Sequence, residues 1–282
     1  MHDSEHSIAF LGLPGAHSDM ACRHAYPYLE TVACASFEDI LAKVEGGEVK
    51  YGLIPLENSQ AGRVAEIHKL LPATPLHIVG EYFHRVENCL LGAQGAKIED
   101  VKTVYSHPQA LLQCRETLLK LGVETVPCSD TASAARDLGK AQDKSKAAIA
   151  SRLAGELYGL MPLMENIEDS DTNTTVFVTF SREPIDPDPA KGAVLTSALI
   201  TLRNIPAALY KSLGGFATNG VNLLKLESYI APSARENAQF FLTFEGSPRE
   251  RRVQLAMEEL GFFCRKVRIL GVYTADKARF SG

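Results

Sequence analysis

The chain of 282 residues has no tryptophan, and its six cysteines, Cys22, Cys34, Cys89, Cys114, Cys128 and Cys264, show no C-x-x-C spacing. Neither a zinc site nor a disulfide framework is suggested, and the thiols read as small buried apolar groups. No apolar run approaches the roughly 20 residues that span a bilayer, and Met1 to His6 lack the basic start of a signal peptide, which together imply a cytoplasmic protein. A basic cluster is missing too: Arg249, Arg251 and Arg252 stand among Glu250, Glu258 and Glu259, and the net charge is -5. That balance argues against nucleic acid as a partner. His17 and His24 have no carboxylate or thiol completing a metal set, and His107 precedes Pro108 with no nucleophile at motif spacing. What remains, 45% hydrophobic and 22% charged, suffices for two domains or three lobes.

Strand-like and helix-like segments alternate through the first part. Ile8 to Gly12 is an apolar run ending in a Gly-Leu-Pro-Gly turn, and Ser36 reads as the N-cap of a helix whose apolar face carries Phe37, Ile40, Leu41 and Val44. Tyr51 to Pro55, Leu76 to Val79 and Val101 to Tyr105 read as strands. Gln109 to Leu121 reads as one long helix, and Asp130 as the N-cap of a small-residue helix. This alternation predicts parallel sheets with ligands at the carboxyl ends of the strands. A segment with three prolines, Glu183 to Gly192, reads as a stiff linker. Beyond it the order is βαββαβ, a ferredoxin-like unit, with Pro206 at the first helical position and Gly261 just past the second helix.

Three polar clusters fall at strand ends: Glu57-Asn58-Ser59, Ser106-His107-Pro108-Gln109 and Asn173-Thr174-Thr175-Val176-Phe177. Their side chains are mostly neutral hydrogen-bonding groups, which suits a cleft for a small polar substrate. Singly, each has a plainer reading: Thr175 as a β-branched strand residue, Asn58-Ser59 as turn chemistry, Ser106 as a helix cap.

Taken in order, these segments resemble monofunctional bacterial prephenate dehydratases with a C-terminal ACT domain. The resemblance runs from Ile8 to Val272 through Gly12-Leu13-Pro14-Gly15-Ala16-His17-Ser18, Ile54-Pro55-Leu56-Glu57-Asn58-Ser59, Ser106-His107-Pro108-Gln109 with Gln113, Asp130-Thr131-Ala132, Ala148-Ile149-Ala150-Ser151 and Asn173 to Phe177. It implies a two-lobed α/β catalytic region like the type II periplasmic binding proteins over residues 6–183, a linker over 184–194 and a ferredoxin-like ACT domain over 195–275. The implied reaction turns prephenate into phenylpyruvate with no cofactor and no metal. Thr175 is the implied catalytic hydroxyl, with Asn58, Ser59, Ser106, Gln113, Phe177 and Ser18 around the substrate. L-Phenylalanine is the implied effector, at Asn204, Ala208, Leu209, Asn222, Glu227 and Ser228, between ACT domains paired in a homodimer or homotetramer. Arogenate dehydratase and a non-catalytic small-molecule sensor are the alternatives. The sequence departs from the family's Thr-Arg-Phe at Val176, from its Gly-Thr pair at Ala16, and from its Glu-Ser-Arg-Pro at Tyr229-Ile230.

Overall fold

The structure, a computed structural model, describes residues 4–229 and 238–280; Met1 to Asp3 and Ile230 lie outside them. The first lobe is built from β1 (Ser7–Leu11), β2 (Glu30–Cys34), β3 (Tyr51–Asn58), the two-residue β4 (Gly62–Arg63) and β5 (His77–Arg85). The chain then crosses to a second lobe of β6 (Cys89–Gly92), β7 (Thr103–Ser106), β8 (Glu124–Pro127), β9 (Lys146–Ala150) and β10 (Met161–Met164), and returns through β11 (Thr174–Ser181). The sheet orders are β2-β1-β3-β11-β5 and β8-β7-β9-β6-β10, one arrangement used twice. In each sheet the fourth strand is the one that has just crossed over. It runs antiparallel to both neighbours, so the sheets are mixed rather than parallel as expected. The cause is directional: β1, β3, β7 and β9 run toward the cleft, whereas a strand arriving from the other lobe starts at the cleft and runs away from it.

Burial on both faces fixes the lobes. α1 (His17–Ala25) packs Ala21 and Cys22 against Ile8, Phe10 and Phe177. On the other face lie α2 (Phe37–Glu45) and α3 (Ala65–Leu70), with Ile40, Val44 and Ile67 in the core and Ser36 capping α2 through Asp39 N–H at 3.1 Å, as expected. The expected long helix is two, α4 (Pro108–Gln113) and α5 (Arg115–Leu121), broken at Cys114. The returning crossover makes the break. Asp169 N–H donates to the Gln113 carbonyl at 2.7 Å, and its carboxylate accepts from Glu116 N–H at 3.1 Å. α6 (Thr131–Ala141), capped by Asp130 through Ser133 N–H at 2.7 Å, and α7 (Arg152–Tyr158) cover the opposite face through small residues such as Ala135 and Ala154.

After the proline-rich segment come β12 (Val194–Leu202), α8 (Ala208–Thr218), β13 (Leu223–Tyr229), β14 (Gln239–Glu245), α9 (Arg251–Phe263) and β15 (Cys264–Thr274). The antiparallel order β13-β14-β12-β15 is the ferredoxin-like one. α8 starts two residues after Pro206 because Ala207 adopts a left-handed φ of 58°, and Gly261 lies inside α9 instead of beyond it. One sheet face carries both helices. The other merges into the first lobe: Leu195, Leu199, Phe241, Leu270 and Tyr273 share a core with Ile78 and Phe180. There β15 comes so close to β5 that a Cβ on Gly271 would overlap the Ile78 carbonyl oxygen. Charged contacts reinforce this junction. Lys225 on β13 pairs with Glu57 at the end of β3 and lies 3.5 Å from Glu227, while Arg63 donates to the Ser228 carbonyl at 2.8 Å.

Candidate active site

Between the lobes lies an open cleft of about 660 Å³. Its walls are the carboxyl ends of β1 and β3, the starts of α1, α4 and α6, and both crossovers. The loop before α1 crosses from one lobe to the other: Ser151 donates to the Gly15 carbonyl and Tyr158 to the Pro14 carbonyl at 2.8 Å. Gly15 is required there. It has φ 86°, and a Cβ would sit 2.7 Å from Ala154 Cα. Among the described residues lining the cleft there is no Lys or Arg; the lining carries amides, hydroxyls, His17 and His107, and the carboxylates of Glu66 and Asp130. Asp130 is engaged as the α6 cap.

The centre of the polar wall is Asn58 and Thr175, cross-strand partners at the β3/β11 junction. Asn58 Nδ2 donates to Thr175 Oγ1 at 2.9 Å and to Asn173 Oδ1 at 2.8 Å. Its orientation is set from the other end, since Asn58 Oδ1 accepts from the N–H groups of Gln60 and Ala61 at 3.0 and 2.8 Å. Thr175 therefore accepts from a fixed amide and keeps its own O–H for the cleft. A hydroxyl that accepts one hydrogen bond becomes a better donor in the next.

Behind this wall three histidines pack together. His84, buried on β5 opposite Thr175, lies edge-on to Phe177, and its Nε2 is 3.4 Å from His17 Nδ1. Burial, then the neighbouring His17 and His24, push the His84 pKa down to about 3. Burial also lowers that of His17, against a hydrogen bond with Asn88 and the charge of Glu168. Both rings are neutral near pH 7. Among the described residues no group of three or more His, Cys, Asp or Glu is arranged to hold a metal ion, and no helix is long and apolar enough to cross a membrane.

Ser18, Asn58, Gln113, Thr175 and Phe177 all line the cleft. Ser106 and Ser59 do not. Ser106 is fully buried, and its hydroxyl donates to the Ile149 carbonyl at 2.7 Å, tying β7 to β9; it is neither a cleft group nor the α4 cap, which is His107. Ser59 is exposed and bridges the Thr172 carbonyl and Thr174 N–H, each at 3.0 Å. In the C-terminal unit Asn204 is exposed, Ala208 and Leu209 open α8, and Asn222 donates to Glu245 at 3.2 Å. Glu227 and Ser228 turn toward the first lobe, with Glu227 Oε2 2.7 Å from His68 Nε2. Sequence reasoning passed over Asn88 and His17 as cleft groups. The available signal was a polar residue directly before an apolar strand or at the start of a helix.

A family model for prephenate dehydratase matches residues 8–185. A bifunctional N-acyl-homoserine lactone acylase/prephenate dehydratase of Komagataeibacter europaeus is 43% identical over 277 residues, 98% of this chain and 99% of that protein. Arogenate dehydratase/prephenate dehydratase 1, chloroplastic, of Arabidopsis thaliana is 38% identical over 291 residues, 98% of this chain and 74% of that one. The crystal structure of prephenate dehydratase in complex with L-Phe from Arthrobacter aurescens is 28% identical, with a TM-score of 0.85 over 95% of this chain and 89% of that one.

Proposed function

We propose that this chain, which belongs to the prephenate dehydratase family, converts prephenate to phenylpyruvate, carbon dioxide and water. The observation that carries the reading is the Asn58-held hydroxyl of Thr175 on the wall of a cleft lined by neutral donors. In the reaction the ring C–O bond and the bond to the ring carboxylate both break. The carboxylate electrons close the aromatic ring, carbon dioxide departs, and the hydroxide takes one proton from solvent to leave as water. The electron sink lies in the substrate, so the protein has to orient it, exclude water and donate to the departing oxygen. Thr175 O–H is the donor to that oxygen. A hydroxyl is too weak an acid to give its proton away near pH 7, so its part is charge stabilisation. Leu11, Phe37, Val64 and Phe177 give the cleft an apolar side, where a carboxylate is readily lost as neutral carbon dioxide.

Arogenate carries an ammonium where prephenate has its side-chain keto oxygen. Parallel turnover of the two substrates by the full chain tests the reading: phenylpyruvate should form from prephenate, and product from neither would overturn it. A second reading is favoured by one observation, the 43% identity to a protein named as both acylase and prephenate dehydratase. It is that the same cleft hydrolyses the amide of an N-acyl-homoserine lactone, and release of the fatty acid by this chain is its test.

The same proposal takes residues 6–183 as catalytic, 184–194 as linker and 195–275 as an ACT domain pairing with a second copy. L-Phenylalanine would bind near Asn204, Ala208, Leu209, Asn222, Glu227 and Ser228. The ferredoxin-like order supports this, as does the L-Phe in the Arthrobacter aurescens structure. So do the contacts of Lys225, Glu227 and Ser228 with the first lobe, which give an effector there a physical route to Asn58. The six cysteines are free, which fits a reducing cytoplasm.

A further inference from the structure

Two buried asparagines on the cleft wall, Asn173 at the head of the third polar cluster and Asn88 outside all three clusters, have so far been given no part in holding substrate. Asn88 closes the outgoing crossover just before β6, and Asn173 closes the returning one just before β11; each is 1% exposed. The crossovers run side by side, with Val86 N–H donating to the Asn173 carbonyl at 2.8 Å. In both side chains the carbonyl end is already engaged. Asn173 Oδ1 accepts from Asn58 at 2.8 Å. Asn88 Oδ1 lies 3.3 Å from His17 Nε2, and His17 Nδ1 lies 3.4 Å from His84 Nε2. With both rings neutral, one set of tautomers serves this whole chain: His84 donates to His17, and His17 donates to Asn88. Each amide is thereby oriented with its NH2 group left over. Asn88 Nδ2 and Asn173 Nδ2 are buried and have no acceptor among the described residues. A buried unpaired donor is unfavourable, and two on adjacent crossovers of a cleft without Lys or Arg point to an anionic acceptor bound between them.

We propose that Asn88 and Asn173 form a carboxylate subsite in which two oriented NH2 groups do the work of a guanidinium. The inference rests on the dehydratase reading and adds which carboxylate is held. Donors that grip the ring carboxylate would stabilise the ground state of the group that must leave, and so slow the reaction. The subsite therefore takes the carboxylate of the three-carbon side chain, which survives in the product. It anchors prephenate and phenylpyruvate alike, and His17 and His84 act on it as positioning residues.

The test compares Asn88→Asp with Asn88→Ala, and Asn173→Asp with Asn173→Ala, in the full chain at pH 8. The readouts are KM for prephenate, kcat, and the inhibition constant of phenylpyruvate. Loss of one hydrogen bond to a charged acceptor should raise KM and the phenylpyruvate constant together by about 10–100-fold in the Ala variants. The Asp variants should be about tenfold worse again, because a carboxylate now faces a carboxylate. kcat should stay within about threefold in the Asn88 pair, as expected for binding shared by ground and transition states, whereas Asn173→Ala also removes an acceptor of Asn58 and should lower kcat as well as raise KM. A merely structural role reverses the ranking: Asp keeps both the volume and the oxygen to which His17 or Asn58 donates, so it would be milder than Ala. That ranking, or an unchanged KM throughout, overturns the subsite while leaving the dehydratase reading intact. If one asparagine's variants do not fold, as seen by circular dichroism, the other pair decides. A wild-type chain that turns over neither prephenate nor arogenate sinks both, before any variant is compared.

Discussion

Replacing Thr175 by Val removes a hydroxyl and keeps a β-branched side chain of nearly the same shape on β11, so it separates chemistry from folding. The stability change follows from the contacts. The hydroxyl accepts one hydrogen bond, from Asn58 Nδ2 at 2.9 Å, and that nitrogen retains Asn173 Oδ1 at 2.8 Å and the Thr174 carbonyl at 3.3 Å. No donor is orphaned, so the loss should be about 1 kcal/mol, or roughly 2–4 °C in Tm. The catalytic loss is larger. Removing one preorganised donor to developing oxyanion charge costs about 10²–10³ in kcat, equivalent to about 2.7–4 kcal/mol. KM should move little, because the donor acts on an oxygen that acquires its charge as the bond breaks. Thr175→Ser, which keeps the oxygen, should recover most of the loss. The assay is phenylpyruvate formation at saturating prephenate, with a thermal melt of each variant. A Thr175→Val enzyme that melts normally and turns over within threefold of wild type would refute the assignment of the departing hydroxyl to Thr175.

Other expectations follow from the same contacts. Lys225→Ala leaves Glu57 without its partner beside Asn58 and should lower kcat by about fivefold, the value of a partly buried ion pair of about 1 kcal/mol. Val176→Arg, directly opposite Glu57 on β11, should restore kcat in that background; no restoration would mean that Lys225 acts otherwise. Burial holds His84 near a pKa of about 3, against 6.5 unfolded, so the unfolded chain binds the proton first. Stability should be full above pH 6.5 and fall toward pH 3, by about 1.4 kcal/mol per unit once well below 6.5. Urea midpoints between pH 7 and pH 5 check this, and His84→Gln should flatten the slope. L-Phenylalanine titrated into the full chain should give heat and inhibit turnover, while neither effect would leave the C-terminal unit as a packing module.

Strands, two of the helix N-caps and the βαββαβ order were legible because each is set by neighbours in sequence, whereas the cap expected at Ser106 and the helix bounds expected at Pro206 and Gly261 were not met. Ser36 and Asp130 cap the helices they precede, and apolar runs such as Ile8 to Phe10 are buried on both faces. Strand direction was not legible, since β6 and β11 are antiparallel only because the chain has changed lobes. The break at Cys114 was hidden for a related reason. Ala110, Cys114 and Leu118 keep a helical period straight through it, and its cause, Asp169, lies in the other crossover. The same limit separates the candidate site residues. Thr175 and Phe177 alternate onto the cleft face of a strand, which a motif can carry. A serine ending a strand, like Ser106, reads the same whether its hydroxyl faces the cleft or the Ile149 carbonyl. Asn88 becomes a directed donor only through His17, 71 residues away.

The departure at Val176 shows what geometry adds to a motif. In the sequence alone, the motif lacks a guanidinium next to Thr175, which reads as a cation missing from the cleft. Strand alternation changes that account. Thr175 and Phe177 line the cleft, so residue 176 points to the opposite face, where Val176 is buried beside Glu57 and Phe83. An arginine there would neutralise Glu57, not the substrate. In this chain the partner of Glu57 comes from β13 of the C-terminal unit, as Lys225. The substitution therefore takes no charge out of the cleft. The residue next to Asn58 in β3 thus takes its counterion from the C-terminal unit and not from its own lobe, while Asn58 itself is held locally by Gln60 and Ala61.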